Sequence, residues 1–344
     1  MRLTIALGSR PYDGPWGGGN RFIAALSEAL AGAGHEVVYD LRRRDLDIIL
    51  LTDPRVRSPN VCFGAGNIVR YRSFVNPRAI VIHRVNECDE RKQEKFINGR
   101  LLRANYCADA TVFVGEWLTR LPLWRERLHK PYYVIRNGSD ERIFNAEGFA
   151  PWDGKGPLKL VTHHWGYHPM KGFDVYAALD RMLADSLWQG RIDFTYIGNL
   201  PRQFTFTNAT YIAPLDGSEL AAALKRHHAY CTGSINEPGG NHQNEGALCG
   251  LPLLYRNSGC LPEYCIGYGV MFDGPADLAE KIQYLIVNYQ RLVPKMAHWP
   301  HRASRMCAEW IELFERLVAQ REKLLESRKQ HSNFLRALAA QYQY

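Results

Sequence analysis

The chain has 344 residues, 46% hydrophobic and 23% charged, which fits a globular protein with room for two domains and excludes disordered and fibrous classes. No apolar run approaches the roughly 18 residues that span a bilayer, and the apolar stretch from Leu3 to Leu7 is too short for a secretion signal, so a cytoplasmic protein is expected. The formal charge of +8 is concentrated in residues 1–150, with 23 Lys/Arg against 17 Asp/Glu, while the remainder holds 20 against 18, so an anionic membrane, an acidic acceptor, nucleic acid or a merely solvated face all fit the first half.

In chain order, residues 2–8 predict a buried strand, a Gly-rich loop follows, and Asn20 opens a helix with Phe22, Leu26, Leu30 and Ala33 on one face. Val37–Tyr39, Asp47–Leu51, Ala79–His83 and Ala110–Val114 read as short buried strands, with a helix-prone stretch over Arg91–Ala104. The Pro/Gly-rich stretch 148–157 marks a domain boundary, giving domains over 1–150 and 151–302. Beyond it strands are predicted near 158–163, 192–197, 210–213, 229–233, 252–256 and 269–272, and helices near 172–186, 217–227, 242–249 and 276–292. Residues 303–341 predict an amphipathic helix whose Met306, Trp310, Leu313, Phe314 and Leu317 dock back on the first domain. The fold class is therefore α/β, two Rossmann-like domains facing each other across a crevice, because open α/β sheets bind ligands beyond the carboxyl ends of their strands.

Several positions carry chemistry. Glu237 precedes a Pro-Gly-Gly turn and Glu245 lies on the helix that the turn opens, so two carboxylates stand beside a helix start whose backbone N–H groups attract phosphate; a solvated surface turn is the alternative. The loop Gly14-Pro15-Trp16-Gly17-Gly18-Gly19-Asn20 permits close backbone approach to phosphate or sugar, or is a structural turn, and it lacks both the dinucleotide fingerprint and a Walker lysine. Lys171, between a strand and a helix, suits a leaving diphosphate, or is an exposed lysine at a helix start. His83 ends an apolar strand and should emerge at the crevice edge as a candidate for sugar contact, or is a satisfied structural histidine. His163, His164 and His168 do not read as a metal site, since adjacent strand positions face opposite sides. The eight cysteines form no Cys-x-x-Cys pair and read as reduced, mostly buried thiols.

Taken together, Glu237 and Glu245 with seven residues between them, Lys171-Gly172-Phe173-Asp174 after a strand, Val134–Asp140 before the linker and the Gly17–Gly19 loop resemble the family-four retaining glycosyltransferases of the GT-B fold, over roughly residues 1–320. The resemblance implies transfer of a hexose from a nucleotide-diphosphate sugar to an acceptor hydroxyl, without a cofactor or a metal, in cell-surface polysaccharide or glycoconjugate assembly. Under it Glu237 contacts donor-sugar hydroxyls, and Gly239, Gly240 and Asn241 stand close to the sugar or diphosphate. Glu245 holds the ribose, Lys171 neutralises the diphosphate, Gly18 and Gly19 approach it from the other domain, and His83 faces the transferring sugar. Asn137 marks where the chain leaves the first domain. The family's Gly-Arg before the Lys-Gly pair is replaced here by His164-Trp165-Gly166, so the second phosphate cation falls to a protonated His164 or to Arg202. The expected partners are a nucleotide-sugar donor, a carbohydrate or lipid-linked acceptor and, peripherally, an anionic inner-membrane face; no nucleic-acid module is evident. The rival readings are a nucleotide-sugar epimerase, a glycoside phosphorylase and a non-catalytic nucleotide-sugar binder.

Overall fold

The computed structural model describes residues 1–12, 17–54, 59–125 and 130–331. It forms two compact units, one holding Met1–Asp89, Gln93–Arg136 and the chain from Ser304, the other Glu90–Lys92 and Asn137–Ala303.

The first unit is built on six parallel strands, β1 (Thr4–Leu7), β2 (Glu36–Val38), β3 (Ile48–Leu51), β4 (Ile80–Val85), β5 (Ala110–Phe113) and β6 (Tyr132–Val134), in the order β2-β1-β3-β4-β5-β6. Every residue of β3, β4 and β5 is buried, as a parallel sheet covered on both faces requires, so these strands read as apolar runs without alternation. Helices α1 (Gly18–Gly32), α2 (Ala65–Phe74), α3 (Ile97–Asn105), α4 (Glu116–Thr119) and α5 (Pro122–Arg125) accompany them. Helix α1 buries Phe22, Ile23, Leu26 and Leu30, a stripe at helical spacing, while Ala33 beyond its end is exposed. The helix-prone stretch from Arg91 starts later than its composition suggests, at Ile97, with a single 3₁₀ turn over Asp89–Arg91 before it.

The second unit carries β7 (Leu158–His164), β8 (Ile192–Gly198), β9 (Thr210–Ile212), β10 (Ala229–Thr232), β11 (Leu253–Arg256) and β12 (Gly269–Phe272), again all parallel, in the order β12-β11-β10-β7-β8-β9. Its helices are α6 (Phe173–Ala184), α7 (Gly217–Leu224), α8 (His242–Leu248), α9 (Leu261–Cys265) and α10 (Leu278–Leu292). Successive strands run outward on one side from β7 to β9, then return to its other side with β10, so the topological switch point lies between β7 and β10, where doubly wound sheets bind ligands.

Helices α11 (Ala303–Ala319) and α12 (Arg321–His331) close the described chain. Met306, Trp310, Leu313, Phe314 and Leu317 join the first unit's core with Ile5, Phe22 and Ile48, and the Phe22 and Trp310 rings stand 5.5 Å apart. Arg321 bonds Asp47 at 2.6 Å, and Arg328 grips the buried Asp109 through Nε at 2.7 Å and Nη2 at 2.6 Å. The single helix expected over 303–341 thus turns at Gln320, and its part beyond 331 lies outside the described residues. No described helix is long and apolar enough to cross a membrane.

Candidate functional site

The second unit gathers most of the sequence-derived positions at its switch point. Strand β7 ends at His164, and Lys171 follows in a 3₁₀ turn over Pro169–Lys171; β10 ends at Thr232, and Glu237 follows five residues later. Gly172 lets these two connections touch: its φ is +93°, and a Cβ there would stand 2.3 Å from the Gly233 carbonyl carbon. The Ile235 N–H adds a bond to the Met170 carbonyl at 2.8 Å. Lys171 Nζ is thereby brought to 2.6 Å from Glu237 Oε2, with both residues buried. Arg91, in the Glu90–Lys92 segment of the same unit, places its Nε 3.8 Å from Glu237 Oε1. Burial by itself would raise the Glu237 pKa, but the Lys171 ammonium and then the Arg91 guanidinium hold it well below the usual carboxylate range. Two cations thus face one anion.

The turn beyond Glu237 is fixed from beneath. Asn137, the first residue of this unit after the crossing, donates from Nδ2 to the Gly239 carbonyl at 2.6 Å, and Asn244 Nδ2 donates to the Asn137 carbonyl at 3.0 Å. Gln243 Nε2 donates to the Gly240 carbonyl at 2.6 Å, and Ser139 Oγ reaches the Asn241 carbonyl. Helix α8, entirely buried, begins at His242, whose Nε2 meets Thr232 Oγ1 at 2.9 Å. Glu245, on the same helix, accepts from His163 Nε2 at 2.6 Å.

His164 is fully enclosed, its Nε2 2.6 Å from the Tyr176 hydroxyl and its ring 4.7 Å from that of His242. Burial first, then His242 and Lys171, push its pKa well below 6.5, so it is neutral at pH 7 and lacks the charge that its reading as a phosphate cation required. His168 is pushed down to about 4 for the same reasons, burial and then the Lys171 charge. Arg202 lies exposed in the loop after β8. Arg91, by contrast, had no sequence signal: it sits in a segment read as the start of a helix, and only folding carries it to Glu237.

In the first unit, β4 continues to Val85, so His83 is inside the strand and fully buried rather than at an exposed strand end. Its Nδ1 lies 3.1 Å from Asn105 Oδ1, which also accepts from Thr111 Oγ1 at 2.9 Å. With Asn105 Oδ1 as shared acceptor, Nδ1 carries the proton; Nε2 is then a bare acceptor, with no hydrogen-bond partner among the described residues. Burial pushes the His83 pKa down to about 4, so the ring is neutral. Gly18 and Gly19, expected in a loop, form the first turn of α1 with Gly17 as its cap and no side-chain cap bond. Asn20 pins the backbone of Tyr12 through bonds of 2.8 and 2.7 Å, and Gly14, Pro15 and Trp16 lie outside the described residues.

All eight cysteines are free thiols, seven buried and Cys62 exposed.

Solved structures share this architecture. The catalytic domain of starch synthase IV from Arabidopsis thaliana, bound to ADP and acarbose, matches with a TM-score of 0.67 at 13% identity, covering 93% of this chain and 100% of that one. HepE from Anabaena in complex with UDP and glucose matches with a TM-score of 0.63 at 13% identity over 92% of this chain and 100% of its own. Sucrose-phosphate synthase from Thermosynechococcus elongatus matches with a TM-score of 0.63 at 15% identity, over 92% and 100%. No protein-family model and no curated protein matches the chain. Two six-stranded parallel sheets with flanking helices, matched along their length by such structures, define a two-domain Rossmann-like fold of the GT-B glycosyltransferase type.

Proposed function

We propose that the chain is a retaining, metal-independent glycosyltransferase of family four that moves a hexose from a nucleoside-diphosphate sugar to an acceptor hydroxyl, in the assembly of a cell-surface polysaccharide or glycoconjugate. The observation that carries this reading is the buried Lys171–Glu237 pair at the switch point of the second sheet, with Arg91 beside it. The GT-B fold and the ADP and UDP named in the matching structures support a nucleoside diphosphate as the ligand class.

In this reading Lys171 is the diphosphate cation, and Arg91 supplies the second positive charge that the family's missing arginine would give. Preorganised cations aimed at a charge that grows as the bond breaks lower the barrier most, because they need no reorientation during the reaction. The arriving diphosphate competes with Glu237 for Lys171, which leaves the carboxylate to accept hydrogen bonds from donor-sugar hydroxyls. Because its proton affinity is held low, Glu237 acts as an acceptor of hydrogen bonds and not as a proton donor. Glu245 takes the ribose hydroxyls, and Gly239, Gly240 and Asn241 line the sugar side. In the first unit, assigned to the acceptor, the start of α1 at Gly18 and Gly19 offers backbone N–H groups to phosphate, while His83, enclosed inside β4, acts from within the strand through Asn105 and not by contact with the sugar. The acceptor attacks on the face the diphosphate leaves, and a departing oxygen takes its proton, so no carboxylate pair flanking the bond is needed.

The test is thermal unfolding with UDP, GDP, ADP, dTDP, CMP and NAD, followed by product analysis with the matching sugar nucleotides. A nucleotide at 100 times its Kd stabilises by about 2.7 kcal/mol. A shift with one nucleoside diphosphate and an acceptor-dependent glycoside are expected. A shift with NAD alone would overturn the reading, and sugar isomerised or released without acceptor would convert it to an epimerase or hydrolase.

A further inference from the structure

Strand β7 brings a second, independent group to the donor site. His163 is 8% exposed and its Nε2 stands 2.6 Å from Glu245 Oε2. Its other nitrogen is also engaged: Nδ1 lies 3.1 Å from the hydroxyl of Tyr230 on β10, and that hydroxyl accepts from the His163 backbone N–H at 3.2 Å. The Tyr230 oxygen thus receives one proton from the backbone and has its own to give, to Nδ1 or to the His163 carbonyl at 3.3 Å. Burial raises the phenol's pKa well above 10, so it stays a donor at every physiological pH. A ring that accepts at Nδ1 carries its proton at Nε2, where Glu245 receives it. The Glu245 carboxylate only accepts, which fixes a proton on Nε2, and where the Tyr230 proton goes to Nδ1 the chain Tyr230–His163–Glu245 runs in one direction.

Packing holds this chain in register. A Cβ on Gly246, the residue after Glu245, would fall 2.5 Å from Tyr230 ring carbons, so the ring lies directly against the backbone of α8 where Glu245 departs. The His163 and Tyr230 rings meet edge to face, 5.5 Å apart at 72°. A carboxylate on a flexible two-carbon stem, 3% exposed, would otherwise have several rotamers to choose among.

We propose that His163, backed by Tyr230, is a positioning residue for nucleotide recognition: it fixes the rotation of the Glu245 carboxylate so that this group meets the ribose hydroxyls of a nucleoside diphosphate already oriented. The inference rests on the donor-site reading above, in which Glu245 faces the ribose. It assigns to His163 a part in affinity and in selection for the hydroxylated ribose, with no contact to the reacting atoms.

Isothermal titration with the tightest binder among UDP, GDP and ADP and with its 2′,3′-dideoxy counterpart tests this on wild type, His163→Leu, His163→Gln and Tyr230→Phe. His163→Leu is expected to weaken the ribonucleotide about tenfold, the size of one lost charge-assisted hydrogen bond, and the dideoxy compound by less than about twofold. His163→Gln, whose amide N–H reaches toward the Nε2 position, should restore ribonucleotide binding to within about threefold of wild type, since one donor replaces another. Tyr230→Phe keeps the ring packing and should lose part of the ribonucleotide preference alone, which tests the idea even if the leucine variant does not fold. Equal losses on both ligands, or none on either, would overturn the positioning role while leaving the donor site standing. Wild-type protein that binds none of the three diphosphates would overturn the donor site and this inference together.

Discussion

At the scale of single residues, the buried charges make separable claims. Glu237→Ala should reduce turnover about 100-fold, the usual cost of removing a group that acts on the transition state, while leaving nucleotide affinity within about threefold. Glu245→Ala should do the reverse, raising the nucleotide Kd more than Glu237→Ala does. Steady-state kinetics with nucleotide titrations decides it, and equal loss of nucleotide affinity in both variants would contradict the assigned roles. The histidines add a pH dependence. His83 and His242 are held at about 4 and about 3, below the 6.5 of an exposed imidazole, so the unfolded chain takes up protons first as pH falls. Their effect is absent above pH 7, and stability drops progressively from pH 6.5 toward 4. Each such histidine costs about 2 kcal/mol at pH 5. His83→Gln should therefore show a smaller loss of Tm between pH 7 and pH 5 than wild type, read by circular dichroism.

Among elements, the site depends on two connections that approach at backbone distance. Gly172→Ala puts a methyl group where the Gly233 backbone lies, at a φ that L-residues rarely adopt. It should separate Lys171 from Glu237 and cut activity at least tenfold, with the loss appearing in nucleotide affinity as well as in turnover. The C-terminal helices present a different case, since α11, from Ala303, supplies core to a sheet whose first strand begins at Thr4. Trp310, 1% exposed against Phe22 and Phe314, should cost about 3–5 kcal/mol when replaced by alanine. Differential scanning calorimetry of Trp310→Ala should show the lower transition belonging to the first unit, and an unchanged trace would contradict the packing described for α11.

For the whole molecule, charge is the property that no single element owns. The formal +8 is weighted to the first 150 residues, and we propose a peripheral contact with an anionic membrane carrying a lipid-linked acceptor. Sedimentation with vesicles should bring the protein down with anionic lipid at low salt and release it as the Debye length falls toward about 3 Å near 1 M salt. Protein that stays in the supernatant with anionic and neutral vesicles alike would remove the membrane contact and leave the transferase reading untouched.

Much of this was written locally along the chain. Fully buried parallel strands appear as apolar runs, so β3, β4, β5, β7, β8 and β10 were legible, as was the apolar face of α11 with Trp310 and Phe314. Lys171 and Glu237 were legible because the turns beside them need Gly and Pro at fixed offsets, and Glu245 because it lies on the helix that the second turn opens, which leaves a pattern in one segment. Strand β6, at the sheet edge with Tyr132 exposed, and α2, with its mixed polar and apolar face, lacked a clean period and were missed. What only the tertiary structure decided are the pairings across long separations: Arg91 with Glu237, His163 with Glu245, His83 with Asn105. A partner 146 or 82 positions away imposes no local periodicity, and burial, which decides whether His164 carries a charge, exists only once the sheet and its helices have closed around it.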